Sequence, residues 1–224
     1  MNARWLGRVE YSAALALQEE IVARKIADAE AADELLLLEH DPIFTIGRTP
    51  DVTSLGDEAR LPHPVQRINR GGQATYHGPG QLVGYPIIDL RRREQDLHKY
   101  LRALEDILAA LCASCGVAAA RREGLTGMWI GERKIASIGV GVRRWVSMHG
   151  FALNVTGDLA PFARITPCGI AGVEMTSLAR ETSAAWEVEA VARRAGALFV
   201  ERFDIVLPIL GAPPSARGHR THCA

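Results

Sequence analysis

The sequence has no long apolar run, no charge excess and few cysteines, and each absence excludes a class of protein. No stretch approaches the roughly 20 apolar residues that a membrane span requires, and the first residues lack the apolar segment of a secretion signal. The 26 Lys and Arg residues balance the 26 Asp and Glu residues, so there is no global attraction to nucleic acid or an anionic membrane. Four cysteines among 224 residues do not suggest a disulfide framework. We therefore expect a cytoplasmic protein that binds neither nucleic acid nor membranes.

What is present is the composition of an ordinary globular chain, with 48% hydrophobic and 23% charged residues. Apolar spacing predicts three helices, the first two capped by Ser12 and Asp96, at 12–32, 97–114 and 186–202. Strands are predicted at 34–40, 43–47, 65–70, 82–90, 117–120, 127–130, 134–142 and 145–155. The strands cluster in the middle of the chain, which favours an α+β fold over βαβ alternation. We predict one domain over residues 1–211 and a disordered tail over 212–224.

The densest motif is RGGQATYHGPGQLVGYPIIDL, from Arg70 to Leu90. Its glycines allow positive φ angles and let the backbone approach a ligand closely. The string is neither a Walker A loop nor G-x-G-x-x-G, so it gives little support to nucleotide phosphate binding. Taken only as a cluster of glycines, it would be a glycine-rich hairpin with an ordinary surface histidine.

The specific string resembles the signature of the lipoyl(octanoyl) transferases, approximately R-G-G-x-x-T-Y/F-H-G-P-G-Q-x-x-x-Y-P. The resemblance extends from EHDPIFTIGR at 39–48 to PCGI at 167–170, and so covers most of the chain. It implies an α+β fold with a mixed or antiparallel central sheet flanked by helices, as in the catalytic domain of biotin and lipoate protein ligases. It also implies transfer of an octanoyl or lipoyl group without any cofactor. The implied donor is octanoyl-acyl carrier protein, and the implied acceptors are lipoyl domains of 2-oxoacid dehydrogenase E2 subunits and the glycine cleavage H protein.

The same resemblance assigns a pair of catalytic residues, Cys168 and Lys134. The family's nucleophilic cysteine stands in a P-C-G-I context, which selects Cys168, although a cysteine between Pro and Gly is more often a small buried residue. Its essential lysine stands in G-x-K-I-A-x-I/L-G, which selects Lys134 within GERKIASIG, where a lysine after a turn is usually a solvated edge residue. The resemblance implies that the lysine ammonium favours the reactive thiolate and that the cysteine becomes an acyl-thioester.

The resemblance further implies an acyl pocket with thin glycine walls. Gly139 and Gly150 are expected to leave room for the eight-carbon chain. Two histidines in family-like contexts, His40 and His149, are expected to shape the site. The residues assigned to substrate binding are Arg70, Gly71, Gly72, Gln73, Ala74, Thr75, Tyr76, His77, Ser137, Ile138, Gly139, Gly150, Phe151 and Ala152.

Two rival functions remain open. A lipoate–protein ligase shares the scaffold but activates a free acid with ATP and needs no nucleophilic cysteine, so Cys168 favours the transferase. A non-catalytic acyl-binding module would keep only the pocket. We expect no metal, since Cys112 and Cys115 lack a second pair at zinc spacing and a set of Cys223 with the tail histidines is improbable. The basic run at 91–93 is either a solvated face or a docking point for an acidic carrier protein.

Overall fold

The computed structural model describes residues 1–48, 52–93, 95–170 and 172–204, with the backbone alone at Cys168 and Asp204. The predicted tail at 212–224 and Cys223 therefore lie outside the described residues. The domain limits stay a prediction. Among the described helices, none combines the length and the apolar character needed to cross a bilayer.

The centre of the fold is a mixed sheet with the strand order β1-β2-β6-β10-β9-β8-β7. A short strand, β11, adds to β9 in parallel. The β1–β2 pair is parallel and the other neighbours along the order are antiparallel. The strands span Asn2–Val9 (β1), Glu34–His40 (β2), Gln81–Ile87 (β6), Ala120–Arg122 (β7), Leu125–Ile130 (β8), Arg133–Arg143 (β9), Val146–Asn154 (β10) and Glu174–Met175 (β11).

Helices cover both faces of this sheet. The longer ones are α1 (Tyr11–Ala27), α2 (Leu97–Ser114) and α4 (Val188–Asp204), and α3 is a short helix at Leu178–Thr182. One core gathers α2 and α4 on one face, with residues such as Leu104, Leu153 and Phe199 fully buried. The opposite face packs against α1 through Ile21, Val22 and their neighbours. The predicted fold class, α+β with a mixed sheet flanked by helices, is confirmed.

A second, three-stranded sheet has the order β4-β3-β5. Its strands are Ile43–Ile46 (β3), Val65–Arg67 (β4) and Thr75–His77 (β5). Its apolar side forms a separate core with the segment around Phe162 and Ile165. The glycine-rich stretch therefore connects the two sheets, since β5 belongs to the small sheet and β6 to the large one.

The first helix begins and ends differently from the prediction. Its N-cap is Glu10, whose carboxylate accepts from the amide of Ala13, and not Ser12, whose hydroxyl only donates to Glu10. The helix ends at Ala27 because the chain turns at Asp28 and leaves the helical region there. The predicted helix was thus too long. Strand β1 was missed because it is an edge strand with most side chains exposed or half-buried, so its apolar alternation is weak.

Candidate active site

A pocket lies between the large sheet and the glycine-rich loop. Most of the residues predicted to bind substrate line it. Those lining residues are Arg70, Gly72, Gln73, Thr75, His77, Ser137, Ile138, Gly139, Gly150, Phe151 and Ala152, together with His149. Tyr11, Val83 and Tyr85 also line the pocket, and the sequence reading did not select them.

Three predicted binding residues do not line the pocket. Ala74 and Tyr76 pack into the core of the small sheet, because successive side chains of a strand point to opposite faces and only Thr75 and His77 face the pocket. Gly71 contributes its backbone: its N–H donates to the carbonyl of Val140 on β9, at 2.9 Å. That bond ties the loop to the large sheet.

Arg70 holds the loop in shape. Arg70 is 7% exposed, and its guanidinium donates to the carbonyls of Gly71 and Gln73, both at 2.9 Å, and to Oγ1 of Thr45 at 3.0 Å. The stem of Arg70 lies directly on β9, where a Cβ at Gly139 would come within 2.9 Å of Arg70 Cδ. The Arg70 side chain thus holds the glycine-rich loop against β9.

Gly139 and Gly150, the two glycines expected to leave room for the acyl chain, are packed closely against other parts of the protein. At Gly139 the extra atom would meet Arg70 and the carbonyl of Gly71. At Gly150 it would meet the carbonyl of Gly84 at 2.2 Å and Pro86 at 2.5 Å. Their lack of a side chain thus serves loop and strand packing, and because both also line the pocket, the expectation that they leave room for the acyl chain stays a prediction.

His77 sits in a buried chain of hydrogen bonds. Its Nδ1 donates to Oε1 of Gln81 at 2.8 Å, because an amide oxygen can only accept. The amide nitrogen of Gln81 donates to Oδ1 of Asn154 at 2.9 Å, and Asn154 in turn donates to the carbonyl of Thr176 at 3.0 Å. The amide of Thr176 donates to the carbonyl of Lys134 at 2.9 Å, so this series of hydrogen bonds ends on β9 at the predicted catalytic lysine.

Lys134 is a buried residue and not a solvated edge lysine. It is 1% exposed, its Nζ donates to the carbonyl of Thr126 at 3.0 Å, and it lies 5.2 Å from the ring centre of Trp129. Gly127 permits this position, since a Cβ there would approach Lys134 Cε to 2.8 Å. Burying an ammonium is costly unless the surroundings use its charge. Its burial therefore supports a role in chemistry.

Cys168 lies in a 3₁₀ turn, Pro167–Gly169, and its side chain is outside the described structure. Ser54, 2% exposed, ties this turn to the glycine-rich loop. Its carbonyl accepts from the amide of Thr166 at 2.7 Å and its hydroxyl accepts from the amide of Ala74 at 3.2 Å. The backbone of the predicted nucleophile is thereby fixed beside the pocket loop.

Two further contacts limit where the Cys168 turn can lie relative to the pocket and to Lys134. A Cβ on Gly169 would come within 2.4 Å of the Gln73 side chain, which lines the pocket. In β11, Met175 pairs with Lys134 in parallel register. Cys168 precedes this strand by so few residues that the intervening chain spans at most about 20 Å. The turn therefore contacts the pocket loop, and the strand that follows it pairs with Lys134.

The chain matches a known protein family over most of its length. The model of the lipoyl protein ligase A/B catalytic domain matches residues 10–200. This chain belongs to that family.

Relatives within the family share about half of their residues with this chain. A protein of Geotalea uraniireducens named octanoyltransferase is 51% identical over 209 residues, covering 93% of this chain and 96% of that protein. A Geobacter sulfurreducens protein of the same name is 57% identical over 180 residues, covering 80% of this chain and 75% of that protein.

The fold is similar to that of solved ligases. A lipoate-protein ligase A bound with ATP has a TM-score of 0.72 at 16% identity, covering 91% of this chain and 86% of that one. The biotin protein ligase of Aquifex aeolicus has a TM-score of 0.53 at 13% identity, covering 91% and 69%. At such identities the likeness concerns the fold alone.

Three buried histidines lie around the pocket, and burial lowers the pKa of each. The pKa of His77 falls to about 3 and that of His149 to about 4, with nearby positive charge adding to the effect of burial. The pKa of His40 is lowered chiefly by burial. His40 donates from Nδ1 to the carbonyl of Val9 at 2.8 Å and accepts from the Tyr85 hydroxyl at 2.6 Å. It therefore supports the pocket from behind Tyr85.

These histidines predict a loss of stability in mild acid. Below about pH 6.5 the unfolded chain binds protons that the folded chain excludes, so the free energy of unfolding falls by up to about 1.4 kcal/mol per pH unit for each ring. Urea denaturation at pH 7.5, 6.0 and 5.0 measures the slope. His77→Gln should reduce it, and His98→Gln, which removes an exposed ring, is the matched control. A free energy of unfolding that stays level from pH 7.5 to 5.0 would contradict this prediction.

Two other groups singled out in the sequence have structural roles. Cys112 and Cys115 are buried free thiols, and the described residues contain no group of side chains suited to hold a metal ion. In the basic run, Arg91 pairs with Asp89 at 2.7 Å and Arg93 pairs with Asp33 at 3.2 Å. These pairs hold helix and strand ends together. Charge reversal in this run would therefore disturb the fold as well as any docking.

Gly169 offers a test of the turn's position. It has φ +69°, and an added Cβ would collide with Gln73, whereas at Gly172, with φ +72°, an added Cβ meets nothing within 4 Å. Both alanine variants carry the same backbone strain of about 1–2 kcal/mol. We expect Gly169→Ala to lower kcat/KM for acyl transfer about tenfold or more relative to Gly172→Ala, at similar melting temperatures. Equal activities would mean that the Gln73 contact does not position the turn.

Proposed function

We propose that this protein transfers an octanoyl group from acyl carrier protein to a lysine amine of a lipoyl domain, through a thioester on Cys168. The observation that carries the proposal is that buried Lys134 pairs with β11, the strand that follows the Cys168 turn, while that turn contacts Gln73 of the pocket loop. The shared name of relatives about half identical over most of the chain supports octanoyl transfer. The acceptors we propose are the lipoyl domains of 2-oxoacid dehydrogenase E2 subunits and the glycine cleavage H protein.

The first half of the reaction acylates the enzyme. The Lys134 ammonium favours the thiolate of Cys168, and the thiolate attacks the thioester carbonyl of the donor. The tetrahedral intermediate collapses with cleavage of the bond to the phosphopantetheine sulfur. That sulfur takes a proton from Lys134 and leaves as a thiol, so Lys134 becomes a neutral amine.

The second half restores the enzyme. The acceptor's lysine amine attacks the acyl-thioester, and neutral Lys134 takes the proton that the attacking nitrogen loses. Collapse forms the amide and releases Cys168 as thiolate beside the Lys134 ammonium. Protons and charges therefore balance over one cycle, and conversion of a thioester to an amide needs no ATP.

Pocket residues position the chain. Arg70 and the bonds of Gly71 and Ser54 fix the wall, while Val83, Ala152 and Phe151 supply apolar surface. Each buried methylene contributes about 0.8 kcal/mol, so a chain of seven carbons beyond the carbonyl contributes several kcal/mol of recognition.

The test is transfer to a purified lipoyl domain in two parallel reactions. One contains octanoyl-acyl carrier protein without ATP, and the other contains free octanoate with ATP and magnesium. We expect an octanoyl mass on the acceptor only in the first. Modification of the acceptor only in the second reaction would identify a ligase. Modification in neither reaction would indicate a non-catalytic acyl-binding module. Either result would overturn the proposal.

A further inference from the structure

The acyl pocket has an unusually polar end. Tyr11, Tyr85 and His149 line it there, and β10 pairs His149 with Val140 on β9. Val140 lies three residues beyond Ser137 on the same strand, about 10 Å along it. Ser137 and Gln73, by contrast, line the pocket nearer the lysine and the Cys168 turn. His149 therefore stands at the end of the pocket remote from the proposed chemistry.

Most polar groups at this end are satisfied by the protein. The Tyr85 hydroxyl donates to Nε2 of His40 at 2.6 Å, and the Tyr11 ring packs against the His40 ring with centroids 4.9 Å apart. His40 in turn donates from Nδ1 to the carbonyl of Val9. The rings of Tyr85 and His149 meet edge to face, with centroids 6.5 Å apart.

His149 is the exception. It is 2% exposed, yet neither Nδ1 nor Nε2 has a hydrogen-bond partner within the described structure. The backbone of Asn69 lies near the ring but outside hydrogen-bond geometry. Behind it, Gln18 is fully buried and accepts from the amide of His149 at 2.8 Å, while its own Nε2 is unpartnered. Buried polar groups in native proteins are nearly always paired, so water or a ligand must satisfy this ring.

The ring is held there at a cost. His149 has φ +56°, in the left-handed region that non-glycine residues adopt uncommonly, with Asn, Asp and His the more frequent exceptions. A strained backbone that presents an unpaired polar ring to a pocket is typical of a functional position.

We propose that His149 determines which acyl chains the pocket accepts, by ending it in a polar group that opposes alkyl chains longer than eight carbons and favours chains with a terminal hydroxyl. This inference rests on the proposed acyl transfer and deepens it. An octanoyl chain leaves the ring hydrated, whereas a longer alkyl chain removes its water without replacing the hydrogen bonds. A hydroxyl at the end of the longer chain restores them.

The wild-type protein provides the first test. Transfer to a lipoyl domain is measured as kcat/KM with octanoyl, nonanoyl and decanoyl donors on acyl carrier protein, and with 9-hydroxynonanoyl and 10-hydroxydecanoyl donors. We expect decanoyl to fall about tenfold or more below octanoyl, and the better hydroxylated donor to recover most of that loss. Equal rates for each alkyl chain and its hydroxylated counterpart would overturn the inference while leaving octanoyl transfer intact. Absence of transfer from every donor would overturn the proposed function and this inference with it.

Two substitutions separate polarity from size. His149→Leu removes the polar ring while keeping much of its bulk, and His149→Asn is smaller but polar and suited to positive φ. If the polarity of residue 149 determines chain selection, His149→Leu raises the ratio of decanoyl to octanoyl transfer. It also abolishes the preference for hydroxylated donors over alkyl donors, whereas His149→Asn keeps that preference. If only size decides, His149→Asn shows the larger gain for decanoyl, which would contradict the inference. Thermal unfolding checks that both variants fold, and the wild-type donor series decides the question if His149→Leu does not.

Discussion

Cys168→Ala should reduce acyl transfer by at least about 10³-fold, since the proposed reaction has no other nucleophile. The loss should appear in kcat and not in donor binding, because the pocket of Arg70, Phe151 and Ala152 is unchanged. Single-turnover transfer from octanoyl-acyl carrier protein to a lipoyl domain measures it, and donor affinity is measured separately by titration.

The matched control is Cys115→Ala. Cys115 is a buried cysteine that caps the end of α2 and packs in the core of α2 and α4. Its loss should affect thermal stability more than transfer. If Cys168→Ala retained transfer within tenfold of the wild type, the acyl-thioester would be excluded and direct attack by the acceptor amine would have to replace it.

Lys134→Met should reduce transfer by about 10²–10⁴-fold, the usual contribution of a positioned acid–base group. Methionine has a similar length, and its thioether can pack against Trp129. Without the ammonium, the Cys168 thiol should ionise no more readily than a free thiol, with a pKa of about 8.5 or above. The residual rate should therefore rise as pH increases from 7 to 9, and the deficit should be greatest at low pH.

Iodoacetamide alkylation of Cys168 separates this role from a structural one. The pH at which alkylation becomes fast should shift upward in Lys134→Met. It should stay in place in Arg133→Met, which removes the neighbouring positive charge and its pair with Glu181. An unchanged alkylation profile in Lys134→Met would show that the lysine does not favour the thiolate.

Sequence reasoning was most accurate where a local signal and the core agree. Helix α2 was predicted with its exact bounds, because Asp96 caps the amides of His98 and Lys99 and the leucines recur on one buried face. Strand β1 was missed because an exposed edge strand carries little apolar alternation. Helix α1 was overextended because nothing in its apolar spacing marks the turn at Asp28.

For the site, the sequence predicted residues that lie within a recognisable motif but not those that come from other elements of the fold. The glycine-rich motif placed Thr75 and His77 at the pocket, but it could not tell them from Tyr76, whose direction depends on the register of β5 with β3. Tyr11 begins helix α1 and Tyr85 lies on β6, so only the tertiary packing of helix on sheet brings them to the same pocket. Ser54 and Asn154 carry no chemical signature at all. Gln81 lies within the glycine-rich motif four residues after His77, and this spacing is the sequence signal that could have indicated its hydrogen bond with His77.

The proposed pairing of Cys168 with Lys134 had no source in the sequence except the family resemblance. It depends on β11, a two-residue strand that pairs Met175 with Lys134. No periodicity exists over two residues, so such a strand cannot be predicted from a pattern.

Intact-mass spectrometry tests the central claim most directly. The protein is mixed with octanoyl-acyl carrier protein in the absence of ATP and acceptor, then measured before and after hydroxylamine. The account predicts one added octanoyl group that hydroxylamine removes and that peptide mapping assigns to Cys168. A protein that transfers octanoyl to a lipoyl domain in single turnover, yet carries no such adduct or carries it elsewhere, would contradict the account.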